Sequence, residues 1–124
     1  MNGRERRKRK RYSAQLPVTL EGLEGGEGTL RTQTANVSAS GLCVKLATEI
    51  PMLSSIGVRL ELPAEWSELP RELACSGVVV WTDATVEAEG RPVHYCGIAF
   101  INDDMVLEER LAERLELTYV DLVT

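Results

Sequence analysis

The chain has 124 residues, 44% of them hydrophobic and 27% charged, with a formal net charge of −5 at pH 7. That length suits one domain around a single core. No run approaches the roughly 20 apolar residues a bilayer span needs, and the charged start lacks the apolar segment of a signal peptide. A soluble, cytoplasmic protein is expected.

The charge is unevenly divided along the chain. Seven of the fourteen Lys and Arg residues lie between Arg4 and Arg11, while residues 12–124 carry seven against eighteen Asp and Glu, a net of −11. Residues 1–11 are too charged to bury anything and read as a flexible arm. The body, residues 12–124, has a field that would repel polyanions, so the arm is a local device.

From Gln15 onward the pattern is that of strands. Leu16, Val18 and Leu20 alternate with polar or small neighbours. The segment EGLEGGEG at 21–28 predicts a turn, and a second strand follows over about 29–36. The segment NVSASG at 36–41 breaks it. Leu42, Val44 and Leu46 mark a third strand, and Val58, Leu60 and Leu62 a fourth, which Pro63 and the acidic EWSELP stretch end. A fifth strand is predicted over 72–82, a turn over 84–90, and a sixth strand over about 92–101. Six short strands joined by turns favour a closed barrel or a sandwich over a parallel sheet.

The C-terminal part differs. Asn102, Asp103 and Asp104 offer a cap where the helix dipole favours acidic groups. Leu107, Leu111 and Leu115, with Val106 beside them, predict one amphipathic helix over about 103–117 that lays this stripe on the barrel. Tyr119, Val120 and Leu122 continue the contact.

Two segments carry recognition chemistry. Arginine presents a planar fork of donors that matches phosphate oxygens and the O6/N7 edge of guanine, and it stacks on base faces. Arg7 and Arg11, four apart, share a side in a helical turn or a strand. In the second segment Asn36 and Ser38 point the same way on a strand, Val37 points into the core, and Gly41 permits a sharp turn or a close approach. Turn chemistry alone also accounts for Asn36, Ser38 and Gly41.

An RRxxxR run followed, after one strand and its turn, by (D/N)xSxxG resembles the PilZ domain, a receptor for cyclic di-GMP. The first motif is Arg6, Arg7 and Arg11; the second is Asn36, Ser38 and Gly41. LPV at 16–18 is similar to the family's first strand and GIAFIN at 97–102 to its last, so the resemblance covers nearly the whole chain. It implies an all-β fold with one C-terminal helix, a six-stranded antiparallel barrel, with the arm folding over its outside on ligand binding. It also implies that the arginines grip guanine and phosphate while the polar turn reads a guanine edge. The doubled Arg6-Arg7 looks like members that hold a stacked pair of ligand molecules, and Asn36 stands where many members have Asp. Trp81 resembles a tryptophan of some relatives that stacks on a base; a core or barrel-rim position is the other reading.

No catalytic or metal site is expected, and no cofactor. The glycines at 22, 25, 26 and 28 miss the spacing of a phosphate loop, with glutamates between them. His94 and Cys96 share a strand face, without a third metal ligand. Cys43, Cys75 and Cys96 read as reduced, packed thiols. The expected role is a cyclic di-GMP receptor that signals to another protein by contact. The alternatives are a small nucleic-acid-binding barrel using its basic arm, and a PilZ-like interaction module without nucleotide binding.

Overall fold

Alternating apolar residues build a sheet that closes on itself. A computed structural model describes residues 10–23 and 28–119. Six strands run in chain order: β1 Pro17–Leu23, β2 Gly28–Ser38, β3 Gly41–Leu46, β4 Ser55–Glu61, β5 Glu72–Val86 and β6 Pro92–Ile101. One helix follows, α1 Met105–Thr118. The strands form a closed antiparallel barrel in the order β1-β2-β3-β6-β5-β4, as the resemblance implied. Closure comes from β1 and β4, where Val18 faces Leu60 and Leu20 faces Val58. A closed barrel leaves no unpaired edge to template aggregation.

The inward positions are those that alternation picks out. Val18, Leu20, Val37, Val44, Leu60 and Val79 are fully buried, with Leu42, Leu46, Ile56, Val58 and Ile98 nearly so. The barrel end is sealed by α1 and the β4–β5 connection. Leu111 and Leu115 are buried together with Leu62, Trp66 and Leu69 in one cluster. The acidic connection is thus a folded plug: Leu62 N–H donates to Arg71 O at 2.9 Å and Leu69 N–H to Trp66 O at 3.0 Å. Arg114 of α1 clasps Glu68 through two bonds of 2.6 and 2.7 Å. Tyr119 meets the edge of Trp66 at 6.1 Å between ring centroids.

The helix start follows its sequence. Asp104 caps α1 by accepting from Leu107 N–H at 2.9 Å, and Asn102 Oδ1 accepts from Asp104 N–H at 3.2 Å. Val106 is a correction: it is 61% exposed, because the buried stripe is the i, i+4 series Leu107, Leu111 and Leu115. Leu115→Ala, which empties a fully buried site, is expected to cost about 2–5 kcal/mol in urea unfolding. Val106→Ala should stay within about 0.5 kcal/mol; equal losses would show that the helix packs otherwise.

Several strand limits also move. Residues 21–23 belong to β1, with Gly22 at a positive φ of 77° where the register with β2 shifts. The fourth strand starts at Ser55, and the fifth runs on to Val86, so the turn before β6 is confined to 87–91. Residues 36–38 remain in β2 rather than breaking it. In each case the partner strand supplies backbone bonds that local turn propensity leaves out of account. Residues 1–9, residues 24–27 of the expected turn, and Val120 and Leu122 lie outside the described residues.

Candidate functional site

Two β-bulges decide what faces outward at one end of the barrel. In β2 the register shifts between Thr34, opposite Val44, and Asn36, opposite Cys43, so Ala35 is the extra residue. In β5 it shifts between Val79, opposite Ile98, and Trp81, opposite Gly97, making Val80 the extra residue. A bulge reverses the alternation beyond it. Thr34 and Val37 therefore both point inward, while Asn36 and Ser38 share the outer face. Val79 is in the core, and Trp81 comes out.

The result is a continuous outer row across four strands: Asn36, Cys43, Gly97 and Trp81. Ser38, Gly41 and Ala99 form the next row. Arg11, Asn36, Ser38, Ser40, Gly41, Val80, Trp81, Gly97 and Ala99 line one open cleft over these rows. Of the sequence-predicted residues, Arg11, Asn36, Ser38 and Gly41 come together there. Arg6 and Arg7 lie outside the described residues.

Each member has a local cause. Arg11 is positioned by its neighbour Tyr12, which is 5% exposed and bridges to β2: Tyr12 N–H donates to Val37 O at 2.8 Å and Val37 N–H to Tyr12 O at 3.0 Å. Among the described residues Arg11 makes no ion pair, whereas Arg31, Lys45, Arg59, Arg91 and Arg114 all do. Among the described residues Asn36 Oδ1 is buried without a hydrogen-bond partner. Leaving such an acceptor unmet costs about 1–3 kcal/mol, so a ligand N–H reaching it gains that penalty back.

Ser38 plays the turn role. Its Oγ accepts from Ser40 N–H at 3.1 Å and donates to Gly41 O at 3.3 Å, fixing the two-residue hairpin between β2 and β3. Gly41 is required by the barrel itself: a Cβ there would lie 2.5 Å from Ile98 O and 3.3 Å from Ala99 Cα. Its first service is thus close approach of β3 to β6.

Trp81 resolves in favour of the outer face. Its indole lies against Gly97, so closely that a Cβ on Gly97 would overlap Nε1, Cε2 and Cδ1 of the ring. Trp81, partly buried, lines the cleft. Gly97 carried no signal beyond its place in GIAFIN, and Cys43 had none; their importance comes from lying between Asn36 and Trp81 in the row.

The thiols of the region are protonated at neutral pH. Burial pushes Cys43 up, against the smaller effects of a backbone bond from Cys96 and the charge of Arg11. Burial, with the nearby Cys43, pushes Cys96 up to about 11. A thiol is a poor nucleophile and metal ligand until deprotonated, and no group of three His, Cys, Asp or Glu able to hold a metal occurs among the described residues. An acid whose pKa is raised by folding contributes stability below its unfolded pKa and loses it above. Between pH 8 and 10.5 wild type should therefore lose roughly 2 kcal/mol relative to Cys96→Ala. Parallel pH profiles in urea unfolding would refute the burial effect.

The site combines a guanidinium, an unmet amide oxygen, a glycine-flattened floor and an indole face. Such a set suits a planar, anionic ligand. No described helix is long and apolar enough to cross a membrane.

Comparison with known proteins agrees with the fold. No curated protein matches the sequence. The structure is similar to the Bacillus subtilis inhibitor of motility MotI/DgrA, with TM-score 0.68 and 23% identity over 94% of this chain and 57% of that one. It is similar to the PilZ domain of Escherichia coli YcgR, solved with c-di-GMP, with TM-score 0.65 and 16% identity over 90% of this chain and 92% of that one. It also resembles K. pneumonia MrkH in its apo state, with TM-score 0.68 and 16% identity over 96% of this chain. The chain spans 52% of MrkH, and thus little more than half of two of these three relatives. The PilZ domain model matches residues 5–117, a span that takes in both the basic run and the bulged row; the chain belongs to the PilZ domain family.

Proposed function

We propose that this chain is a receptor for cyclic di-GMP. The observation that carries the reading is the meeting, in one outer cleft of a PilZ barrel, of Arg11, the unpartnered Asn36 Oδ1 and the Trp81 face. Two of its structural relatives, YcgR and MrkH, have been solved with c-di-GMP. In this reading Arg11, with Arg6 and Arg7, takes phosphate and the O6/N7 edge of guanine. Asn36 Oδ1 accepts from a guanine N–H, Trp81 offers a stacking face, and Ser38 and Gly41 hold the hairpin that presents Asn36. The chain has no catalytic part in this reading; its output is contact with another protein. Free thiols at Cys43, Cys75 and Cys96 accord with a cytoplasmic setting.

The arm supplies the switch. Ordering about eight residues costs on the order of 10 kcal/mol, at roughly 1–2 per residue, and one charge-assisted hydrogen bond returns only about 1.5–3. One phosphate contact cannot hold the arm; several contacts plus stacking can. Ligand binding then converts a loose leader into part of a surface that a partner protein reads.

Calorimetry with cyclic di-GMP tests the reading. Saturable binding at micromolar or lower concentration, weakened by Asn36→Ala, is the expected result, together with slower hydrogen exchange across residues 4–12. Absence of heat at those concentrations would overturn it. If RNA or DNA binds instead, with a log–log salt slope of roughly 0.9 per phosphate neutralised and no sensitivity to Asn36→Ala, the basic arm is a polyanion tether.

A further inference from the structure

The segment that carries the arm into the barrel is out of register with β1, by one residue. Pro17 of β1 faces Gln33 of β2, and Tyr12 faces Val37. That is five positions on one side against four on the other. The slip matches the bulge at Ala35, which reverses the faces of β2, and lets residues 12–20 keep their own alternation, with Tyr12, Ala14, Leu16, Val18 and Leu20 all buried. In the slipped register Tyr12 joins Val37 inside the barrel, and the next position outward, Arg11, falls beside Ser38 over the cleft. Without the slip Tyr12, inward by that alternation, would stand opposite the outward Ser38, and Arg11 opposite Ala39.

Thr34 stands where the slip occurs. It is 2% exposed, one of two buried polar residues in a core otherwise apolar among the described residues. Its own N–H donates to Leu16 O at 3.0 Å, as in a regular ladder. The other half of that pair is replaced: Leu16 N–H donates to Thr34 Oγ1 at 3.0 Å, and Oγ1 donates to Ala14 O at 2.6 Å. The hydroxyl thus meets two backbone groups on either side of Gln15 that the slip takes out of the ladder. A buried backbone group without such a partner is rare and costly.

We infer that Thr34 is a positioning residue: its hydroxyl locks the slipped register of residues 12–16 and so places Arg11 beside Ser38 at the cleft. Thr34 touches the arm's root and no ligand. The consequence for binding rests on the cyclic di-GMP reading; the register lock itself does not.

The test uses the full chain with Thr34→Val, which keeps the shape and removes the hydroxyl, and Thr34→Ser, which keeps the hydroxyl. Without ligand, Thr34→Val should speed amide exchange at Tyr12 and Val37 by more than about tenfold, relative to core amides of β3 and β6, while Thr34→Ser stays near wild type. Unchanged protection in Thr34→Val overturns the lock, whether or not any nucleotide binds. With ligand, Thr34→Val should weaken cyclic di-GMP binding by about tenfold or more, and Arg11→Ala should add little on that background. Full additivity of the two changes would overturn the positioning role, since a merely stabilising Thr34 leaves the Arg11 contribution intact. If wild type fails to bind cyclic di-GMP, the proposed function falls and the exchange measurement still decides the lock. Should Thr34→Val not fold, Thr34→Ser with wild-type exchange and affinity supports the hydroxyl's role, and loss of either in Thr34→Ser overturns it.

Discussion

Arg11→Ala is expected to weaken cyclic di-GMP binding by roughly 10- to 100-fold while leaving the unliganded protein's stability within about 0.5 kcal/mol of wild type. The separation follows from the surroundings of Arg11. Arg11 lines the cleft and makes no ion pair among the described residues, so truncation removes the proposed ligand contact and little else. The fold is held at the adjacent residue, Tyr12, through its two backbone bonds to Val37. Arg11→Lys keeps the charge and loses the planar fork, so it should recover only part of the affinity. Calorimetry beside urea unfolding checks both halves. Unchanged affinity in Arg11→Ala would remove the arginine from the site, and a large stability loss would make it a structural residue.

Gly97→Ala should be as damaging, through a different route. The added methyl would occupy the space of the Trp81 indole. Cys43 on one side and Trp81 on the other leave β6 in the middle of the sheet, so the ring, rather than the backbone, must give way. Displacing it costs about 1–3 kcal/mol of overpacking and removes a stacking face worth about 1–3 kcal/mol per base. Binding should therefore fall by about tenfold or more, with a change in near-ultraviolet circular dichroism before any ligand is added. Trp81→Ala should produce a similar affinity loss, and the double variant should be little worse than either. A Gly97→Ala protein that binds as wild type does would show that the indole is no part of the ligand's platform.

The site also accounts for a buried carbonyl that the fold itself does not use. Asn36 Oδ1 has no partner among the described residues, although Ser38 and Ser40, two and four residues on, satisfy each other within the hairpin. Polar groups left unmet inside a folded protein are concentrated where something else is meant to meet them. In the proposed complex that partner is a guanine N–H.

The sequence by itself determined the period, and hence the elements. Leu16, Val18 and Leu20, then Leu42, Val44 and Leu46, then Val58 and Leu60 alternate because each strand has one face in the core; six such runs with turns between them left a barrel or a sandwich, of which the family resemblance implied the barrel, and Leu107, Leu111 and Leu115 give the helix. The two short motifs brought Arg11, Asn36, Ser38 and Gly41 into view, since their chemistry is carried by residue type and spacing. That Asn36 and Ser38 share the face opposite Val37 was legible in the second motif; tertiary structure alone decided that Arg11 and Trp81 meet them in one cleft. The extra residues Ala35 and Val80 look like ordinary members of their strands, and nothing in the sequence marks a slip between Tyr12 and Pro17. Yet the two bulges put Asn36 and Trp81 on the outer face while Thr34 and Val79 stay in the core, and the slip keeps Tyr12 opposite the inward Val37. Alternation is a property of one strand, whereas a bulge or a slip is a choice between competing pairings with the strand next door, settled by burial of Val37 and Val79 and by the hydroxyl of Thr34. The direction of Trp81, and its meeting with Arg11 and Asn36, is therefore a property of the closed sheet that its own segment does not contain.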